Sequence, residues 1–467
     1  MKKPLVLHIA TNLNGGPGRV QLSILKFSKN NASSFSHEFI ILDEKHIKSD
    51  SLELFSEYSD CFHIGKDEDF IKEKIKQAEI IQIDWWNHPL IYNFLINFTF
   101  PASRMIICSH VNGLNRPNII TESLIEFSDI FIATTKATKK HPFFQLSEKN
   151  IDHRKKLRYA TFPIDFERFG TINRKAHEGF NVGYIGTCDY SKIHRNFLSM
   201  SNAVDVPKIK FIISDLHGDK DNVSIEAKKY SSEKFQFTGF VEKIETILEV
   251  LDVFGYPLNA NHFGGGEQAI LEAMFAGLPV VAFSNPCEEA IISHNETGIL
   301  VEDEQGYSEA IKNLYLNPNE RKRIGMNAQK YVKEELNPSK RFQEFEYIYK
   351  EILEYNKITR NFKTLIKKSE FSNSDMGARL FIESLGHKGS EFLQSFEDGL
   401  EVSNNKLNNI IKKVERGMKT TTKGSILQYL YFFPNDTFLN FWVDLISQED
   451  EKVIKPRFSK NLLEKRL

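Results

Sequence analysis

The chain has little of what marks secreted, membrane-spanning or nucleic-acid-binding proteins. Its 467 residues include four cysteines, Cys61, Cys108, Cys188 and Cys287. They lie far apart without metal-ligand spacing, so the reduced thiols of a cytosolic protein are expected. No apolar run is long enough to cross a bilayer, which leaves peripheral membrane contact at most. The apolar run after Met1-Lys2-Lys3 is cut short by His8 and Thr11-Asn12, as in a first strand and unlike a signal peptide. A net charge of −1 gives no global field for nucleic acid. Internal repeats are not visible. Asp219-Lys220-Asp221 lies in a polar loop without the context of a metal motif, and no metal site is expected. Hydrophobic content of 41% and charged content of 26% are those of a soluble globular protein. The length suits two domains and an extra piece.

What is present centres on Phe254 to Phe283, FGYPLNANHFGGGEQAILEAMFAGLPVVAF. An apolar strand leads into an Asn/His-rich loop and three glycines, Gly264, Gly265 and Gly266. Glu267 opens a short apolar helix through Ile270, Leu271, Met274 and Phe275. Gly277 and Pro279 stop it, and Val280 to Phe283 reads as a buried strand. Strand, glycine loop, helix, turn and strand make one half-turn of a doubly wound sheet. A helix start preceded by glycines suits a diphosphate. Glu272 lies inside the apolar helix, where a carboxylate needs partners or a solvated face.

Further strands are expected at Leu5–Ala10, Glu38–Leu42, Ile80–Ile83, Met105–Cys108, Phe180–Gly186 and Ile209–Ser214. A Gly-rich turn, Asn14 to Gly18, follows the first strand without dinucleotide-binding spacing. Trp85 and Trp86 end a strand, where they cap the core or face a ligand crevice. His110 follows another strand. Lys136 to Arg158 is locally basic, either a solvated surface or a patch for anionic lipid or an acceptor diphosphate. Pro338 to Tyr355 carries a helical apolar pattern through Phe342, Phe345, Ile348 and Ile352. Beyond residue 359, Leu380 to Leu400 keeps helical spacing, Asn404 to Lys423 is polar, and Leu427 to Trp442 is dense in aromatics.

Glu-Ala-Met-x-Ala-Gly-Leu-Pro-Val-Val, beginning at Glu272, resembles the nucleotide-sugar motif of glycosyltransferase family 4. The resemblance runs over about residues 5 to 358. It implies the GT-B fold: an α/β protein with two Rossmann-like, doubly wound domains facing a cleft, here with a C-terminal helical appendage. The implied division is 1–162 (acceptor side), a linker 163–178, 179–337 (nucleotide-sugar donor side), a crossover helix 338–358 and the appendage 359–467. The family's second motif Glu, which holds the ribose hydroxyls, is matched by Glu272. Its first Glu falls on Gly264, and Glu267 is expected to take over that contact to the sugar from the helix start. A local cap is the alternative for Glu267. Gly16 matches the family's glycine loop near the donor phosphates, and His110 matches a His near the reacting sugar. Lys192, six residues after Gly186, matches a diphosphate-gripping Lys. The companion Arg position is Thr187, for which His194 or Arg195 could substitute.

The implied activity is retaining transfer of a sugar from a nucleotide-diphosphate sugar to a glycan, lipid-linked or protein acceptor, in cell-surface glycan or polysaccharide synthesis. The implied catalytic residues are His110, Lys192 and Glu267. The donor site is Gly16, Lys192, Gly264, Gly265, Gly266 and Glu272. The alternative is a GT-B scaffold that binds nucleotide or a partner without transfer. Work in the cytoplasm or at the inner face of the cell membrane is expected, with a homo-oligomer through the appendage as one use of that segment. Because Lys192 can neutralise a diphosphate, donor binding is expected to need no metal cofactor. Titration of nucleotide diphosphate into chelator-treated protein checks this; binding lost on chelation and restored by Mg²⁺ or Mn²⁺ would contradict it.

Overall fold

The computed structural model describes residues 3–13, 15–30, 33–43, 49–63, 67–145, 153–170, 172–215, 222–265, 268–366, 375–387, 389 and 424–449. The chain divides into two compact units. Unit 1 is Met1–Phe162 with Phe342–Leu467, and unit 2 is Pro163–Arg341.

The strands of unit 1 begin with β1 (Leu5–Ala10), β2 (Ser36–Ile41), β3 (Asp60–His63) and β4 (Ile80–Trp85). They continue with β5 (Phe100–Ser103), β6 (Met105–Ser109), β7 (Ile130–Ala133) and β8 (Leu157–Tyr159). All but β5 join one sheet in the order β3-β2-β1-β4-β6-β7-β8, and every pairing is parallel. Crossover helices cover both faces of such a sheet, so its central strands are buried. β1, β4, β6 and β7 are buried at every position. That burial is why β6 reads as an unbroken Met105-Ile106-Ile107-Cys108 run rather than an alternation.

One face packs on the helix Pro338–Leu353. Phe342, Phe345, Ile348, Tyr349 and Ile352 recur at helical spacing and bury against Val6, Ile80, Ile106 and Ile130. After this helix, β15 (Ile358–Arg360) pairs antiparallel with β5. Arg360 forms an ion pair with Asp129, and Phe362 is fully buried with its ring edge-on to Phe127 at 5.3 Å.

The expected C-terminal appendage is part of unit 1. Its described helices are Met376–Glu383, Ile426–Phe432 and Thr437–Glu449. Asp436 ties the first and last of these together by accepting from the Ala378 and Leu439 N–H groups at 2.7 and 2.9 Å. Tyr429 Oη donates to Asn87 Oδ1 at 2.6 Å, and Asn93 Nδ2 donates to the Phe432 carbonyl at 3.0 Å. The tail therefore buries the start of the segment that follows β4. The Phe392 to Leu400 part of its apolar pattern and the polar Asn404–Lys423 stretch lie outside the described residues.

Unit 2 has β9 (Phe180–Ile185), β10 (Ile209–Ser214), β11 (Phe235–Phe237), β12 (Val253–Tyr256), β13 (Val280–Phe283) and β14 (Ile299–Val301). They form a parallel sheet in the order β11-β10-β9-β12-β13-β14. The first part of residues 163–178, expected as a linker, is packed: Ile164, Phe166 and Phe169 lie in the unit 2 core, whereas residues 173–176 are exposed. Phe166 stacks on Phe275 with centroids 4.5 Å apart.

Both sheets share one topology. Strand order reverses beside the first strand, between β1 and β4 and between β9 and β12. The crevice outside the C-terminal ends of these strands is where a doubly wound sheet takes its ligand. Among the described residues no helix is long and apolar enough to cross a membrane.

Phe362 tests whether the segment after residue 358 belongs to the core. Truncating a buried Phe costs about 3–5 kcal/mol. Phe362→Ala is expected to lower unfolding stability by that amount in denaturant titration. A loss below about 1 kcal/mol, the range of surface substitutions, would detach the segment from the unit 1 core.

Candidate functional site

In unit 2 the chain leaves β9 at Gly186, whose N–H donates to the Ser214 carbonyl at 3.0 Å. Asp189 Oδ1 then accepts from the Ser191 N–H at 2.8 Å, and the Lys192 and Ile193 N–H groups bond the Asp189 carbonyl at 3.0 and 2.9 Å. This turn delivers Lys192 to the end of β12. Its Nζ lies 5.4 Å from the ring centre of Tyr256, the last residue of that strand. The Lys192 carbonyl accepts from Asn259 at 2.9 Å, and Asn259 Nδ2 donates to the Tyr190 carbonyl at 2.8 Å. The expected diphosphate lysine is thus clamped to the loop before the glycines.

That loop is anchored from below. His262 is 1% exposed and pairs with the fully buried Glu288 at 3.1 Å. With Nε2–H donating to the carboxylate, Nδ1 accepts the Gly264 N–H at 3.1 Å. Cys287 Sγ donates to the Gly264 carbonyl at 3.2 Å. The Gly264 amide, expected to be bared towards a diphosphate, is therefore engaged by His262, because a buried imidazole on a carboxylate needs a donor at its other nitrogen. Gly265 is buried. Gly266 and Glu267 lie outside the described residues.

The helix Gln268–Phe275 follows and ends at Gly277, whose φ of +74° is the left-handed cap a side chain would strain. Glu272 is 4% exposed. It forms an ion pair with Arg168, and the Arg168 guanidinium also lies 4.4 Å over the Phe169 ring. A buried carboxylate demands a cation or several donors, and here the segment expected as a linker supplies it. The two substitutes weighed for the cation missing at Thr187 are used elsewhere. Arg195 lies 4.1 Å over Tyr190 and 3.3 Å from Glu226. Burial holds the His194 imidazole below its usual range, and its ring packs 4.9 Å from Phe283.

In unit 1 the corresponding strand ends carry a buried polar network. Asp84, near the end of β4, is 2% exposed. Its carboxylate receives His8 Nδ1 at 3.1 Å, His110 Nε2 at 3.0 Å and Gln82 Nε2 at 3.0 Å. Burial alone would raise the Asp84 carboxyl; the hydrogen bonds from His110 and His8 outweigh it and hold the group well below the usual carboxylate range. With Asp84 ionised, both imidazoles donate to it. His8 Nε2 then takes His37 Nδ1 at 3.0 Å, and burial pushes the His37 imidazole well down, with His8 adding to the effect. Tyr349 Oη completes the set on Gln82 Oε1 at 2.8 Å. The imidazole of His110 is buried, stacked 4.8 Å from Phe162. Asp84, Cys108 and His110 bring potential metal-ligating atoms within 4.8 Å of one another. Burial and the neighbouring Asp84 push the Cys108 thiol well up, and a protonated thiol is a poor metal ligand.

Gly16 is exposed in the first turn of the helix Gly15–Asn30. The sterically required glycine of that loop is Gly18, where a Cβ would lie 1.8 Å from the Leu13 carbonyl oxygen. Trp85 is core and Trp86 half-buried. Several cations of the basic stretch have internal partners: Lys156 Nζ bonds three backbone carbonyls, Arg158 pairs with Glu351, and Lys139 lies 5.0 Å over Tyr159.

Residues 165–331 match the family model for glycosyl transferases group 1. An uncharacterized glycosyltransferase of Methanocaldococcus jannaschii is 28% identical over 160 residues, 32% of this chain and 40% of that protein. The chain therefore spans well under half the length of this curated relative. A solved glycosyltransferase from Rickettsia africae superposes with a TM-score of 0.59 at 14% identity, covering 76% of this chain and 100% of that one. HepE of Anabaena, solved in complex with UDP, gives 0.57 at 14% identity, covering 74% and 99%. The fold is GT-B. The matched segment begins two residues before Glu167, so Arg168 and Glu272 both lie within it.

Sequence reasoning missed His8, His37, Asp84 and Arg168. The signal for Arg168 was available: a Glu in an apolar helix requires a cation. Nothing marks His8 and His37, which sit singly in two strands.

Acid stability reports the buried imidazoles. Burial lowers His141 to about 4, and it lowers His37 as well. Their contribution is fully present above the unfolded value of about 6.5 and is lost as pH falls towards the folded values. Each group adds a slope of at most about 1.4 kcal/mol per pH unit in that window. Denaturant titrations from pH 7 to pH 4.5 are expected to show falling stability, with a shallower fall for His141→Asn. A slope that His141→Asn leaves unchanged would contradict the assignment.

Proposed function

We propose that the protein is a retaining glycosyltransferase that moves a sugar from a nucleotide-diphosphate sugar to an acceptor. The observation that carries this reading is Glu272, an ion-paired, buried carboxylate in a group 1 domain, on the helix that follows the loop clamped to Lys192. Glu272 holds the ribose hydroxyls. Lys192 stabilises the negative charge that develops on the departing diphosphate, the interaction that gains most in the transition state. His110, held by Asp84, is the acceptor-side group near the reacting sugar, and Asp84 fixes its tautomer. Gly16, Gly265 and Gly266 line the donor phosphates, and Glu267 contacts the donor sugar. HepE, a protein of the same fold, has been crystallised with UDP, with UDP and glucose, and with UDP-glucose. A uridine diphosphate sugar is accordingly the first donor class to try. The acceptor is a glycan, a lipid-linked sugar or a protein, in cell-surface glycan synthesis. The protein works in the cytoplasm, with peripheral contact at the inner membrane face for a lipid-linked acceptor.

A second reading, a nucleotide-binding scaffold without transfer, is favoured by two observations. Thr187 stands where a second diphosphate cation is expected, and the Gly264 amide is engaged by His262. Donor hydrolysis separates the two, because transferases leak slowly to water. Wild-type protein is expected to release nucleotide diphosphate from at least one donor sugar. Glu272→Ala should weaken nucleotide diphosphate binding about tenfold to a hundredfold, the worth of a charged hydrogen bond. Glu267→Gln should slow turnover and leave that binding nearly intact. Tight nucleotide binding with no turnover of any donor or acceptor tried would make the protein a scaffold.

A further inference from the structure

Arg168 is the ion-pair partner of Glu272 and has no role of its own in the function proposed above. It lies in the short turn Glu167–Phe169. That turn is immobilised on both sides, by Phe166 stacked on Phe275 at 4.5 Å and 6° and by Phe169 in the unit 2 core. Phe275 closes the same helix that carries Glu272. The turn and the helix are therefore one packed piece, and the aromatic stack sets where the guanidinium meets the carboxylate. The guanidinium is partly exposed and the carboxylate nearly buried, 30% against 5%. The Arg168 guanidinium carbon lies 4.4 Å from the Phe169 ring centroid, a contact that restricts movement of the fork. An Arg fork supported on an aromatic face directs a carboxylate in a way a lysine ammonium does not.

We propose that Arg168 is a positioning residue for nucleotide recognition: it holds the Glu272 carboxylate in the orientation that accepts hydrogen bonds from the ribose 2′- and 3′-hydroxyls. The inference rests on the donor reading above. Arg168 acts through Glu272. The selectivity it supports is for a ribose over a sugar lacking those hydroxyls, because a buried carboxylate left without its donors strongly disfavours the deoxy analogue.

The experiment uses the full chain and calorimetric titration of the four common ribonucleoside diphosphates and their 2′,3′-dideoxy counterparts. Wild-type protein is expected to prefer the best ribonucleotide over its dideoxy form by about tenfold to a hundredfold. Arg168→Ala should reduce that preference to about threefold or less, while the dideoxy affinity changes little. Arg168→Lys, which keeps charge and most of the volume, should restore part of the preference and guards against loss of folding in the alanine variant. Glu272→Gln should abolish the preference, and adding Arg168→Ala to it should cost nothing further, since residues acting through one another are not additive.

Arg168→Ala and Arg168→Lys that both retain the wild-type preference would overturn the proposal. So would equal loss of ribo and dideoxy binding in both variants, which is the mark of a merely structural residue. Wild-type protein that binds both forms equally overturns the ribose role of Glu272 and this inference with it. Wild-type protein that binds none of the eight nucleotides overturns the donor reading itself.

Discussion

A parallel sheet has to be covered on both faces, because its connections return across them. This constraint shapes both units. Within the central strands most side chains are apolar and enclosed, so the chain presents exposed polar groups together mainly where it leaves the sheet. Lys192, the loop from Leu258 to Gly265, and His110 all sit just beyond strand ends. The reversal of strand order beside β1 and β9 then opens those ends to a ligand. Chemistry is confined to two short edges by the same covering that makes the strands hydrophobic.

Among the exceptions inside the covered region are carboxylates with local partners. Asp84 takes three donors from His8, His110 and Gln82. Glu288 takes His262, and Glu272 takes Arg168. Removing one member of such a set leaves an uncompensated buried charge, which is far costlier than replacing the set by apolar groups. Each set also holds a loop or ring that faces a strand end. His262 holds Gly264, Asp84 holds His110, and Arg168 holds the face of the helix bearing Glu272. Buried electrostatics here fix geometry more than they add stability.

Much of this was legible in the sequence, for reasons that differ by element. β7 and β13 are unbroken apolar runs and β6 is one up to Ser109, and both faces of a parallel sheet demand that. β5, β8 and β15 are short, β5 holds Pro101, and β8 and β15 carry Arg158 and Arg360, so nothing in their pattern separates them from loops. Glu272 and Lys192 stood out through motif words. Arg168 did not, because Phe166 and Phe169 around it read as a hydrophobic connector. The pairing of His8 with His37 depends on the register between β1 and β2, where His8 sits opposite Phe39 and two residues on from His37. Register of that kind is a tertiary fact that spacing along the chain does not encode. The tail was legible as helical, but its attachment through Tyr429 to Asn87 was not, since the two are separated by 342 positions.

Unit 1 is assembled from the first and last parts of the chain, with all of unit 2 between them. On the ribosome this sets an order of completion. The β1–β8 sheet emerges first, yet Phe345, Tyr349 and Tyr429, which close over its core and its loops, are made only after the whole of unit 2. Synthesis proceeds at about 5–20 residues per second, so the early sheet waits on the order of 15–60 s for its cover. Unit 2, contiguous in the chain, can close as soon as it has emerged. The half that begins first finishes last, and its open apolar face during that interval is a natural client for a chaperone.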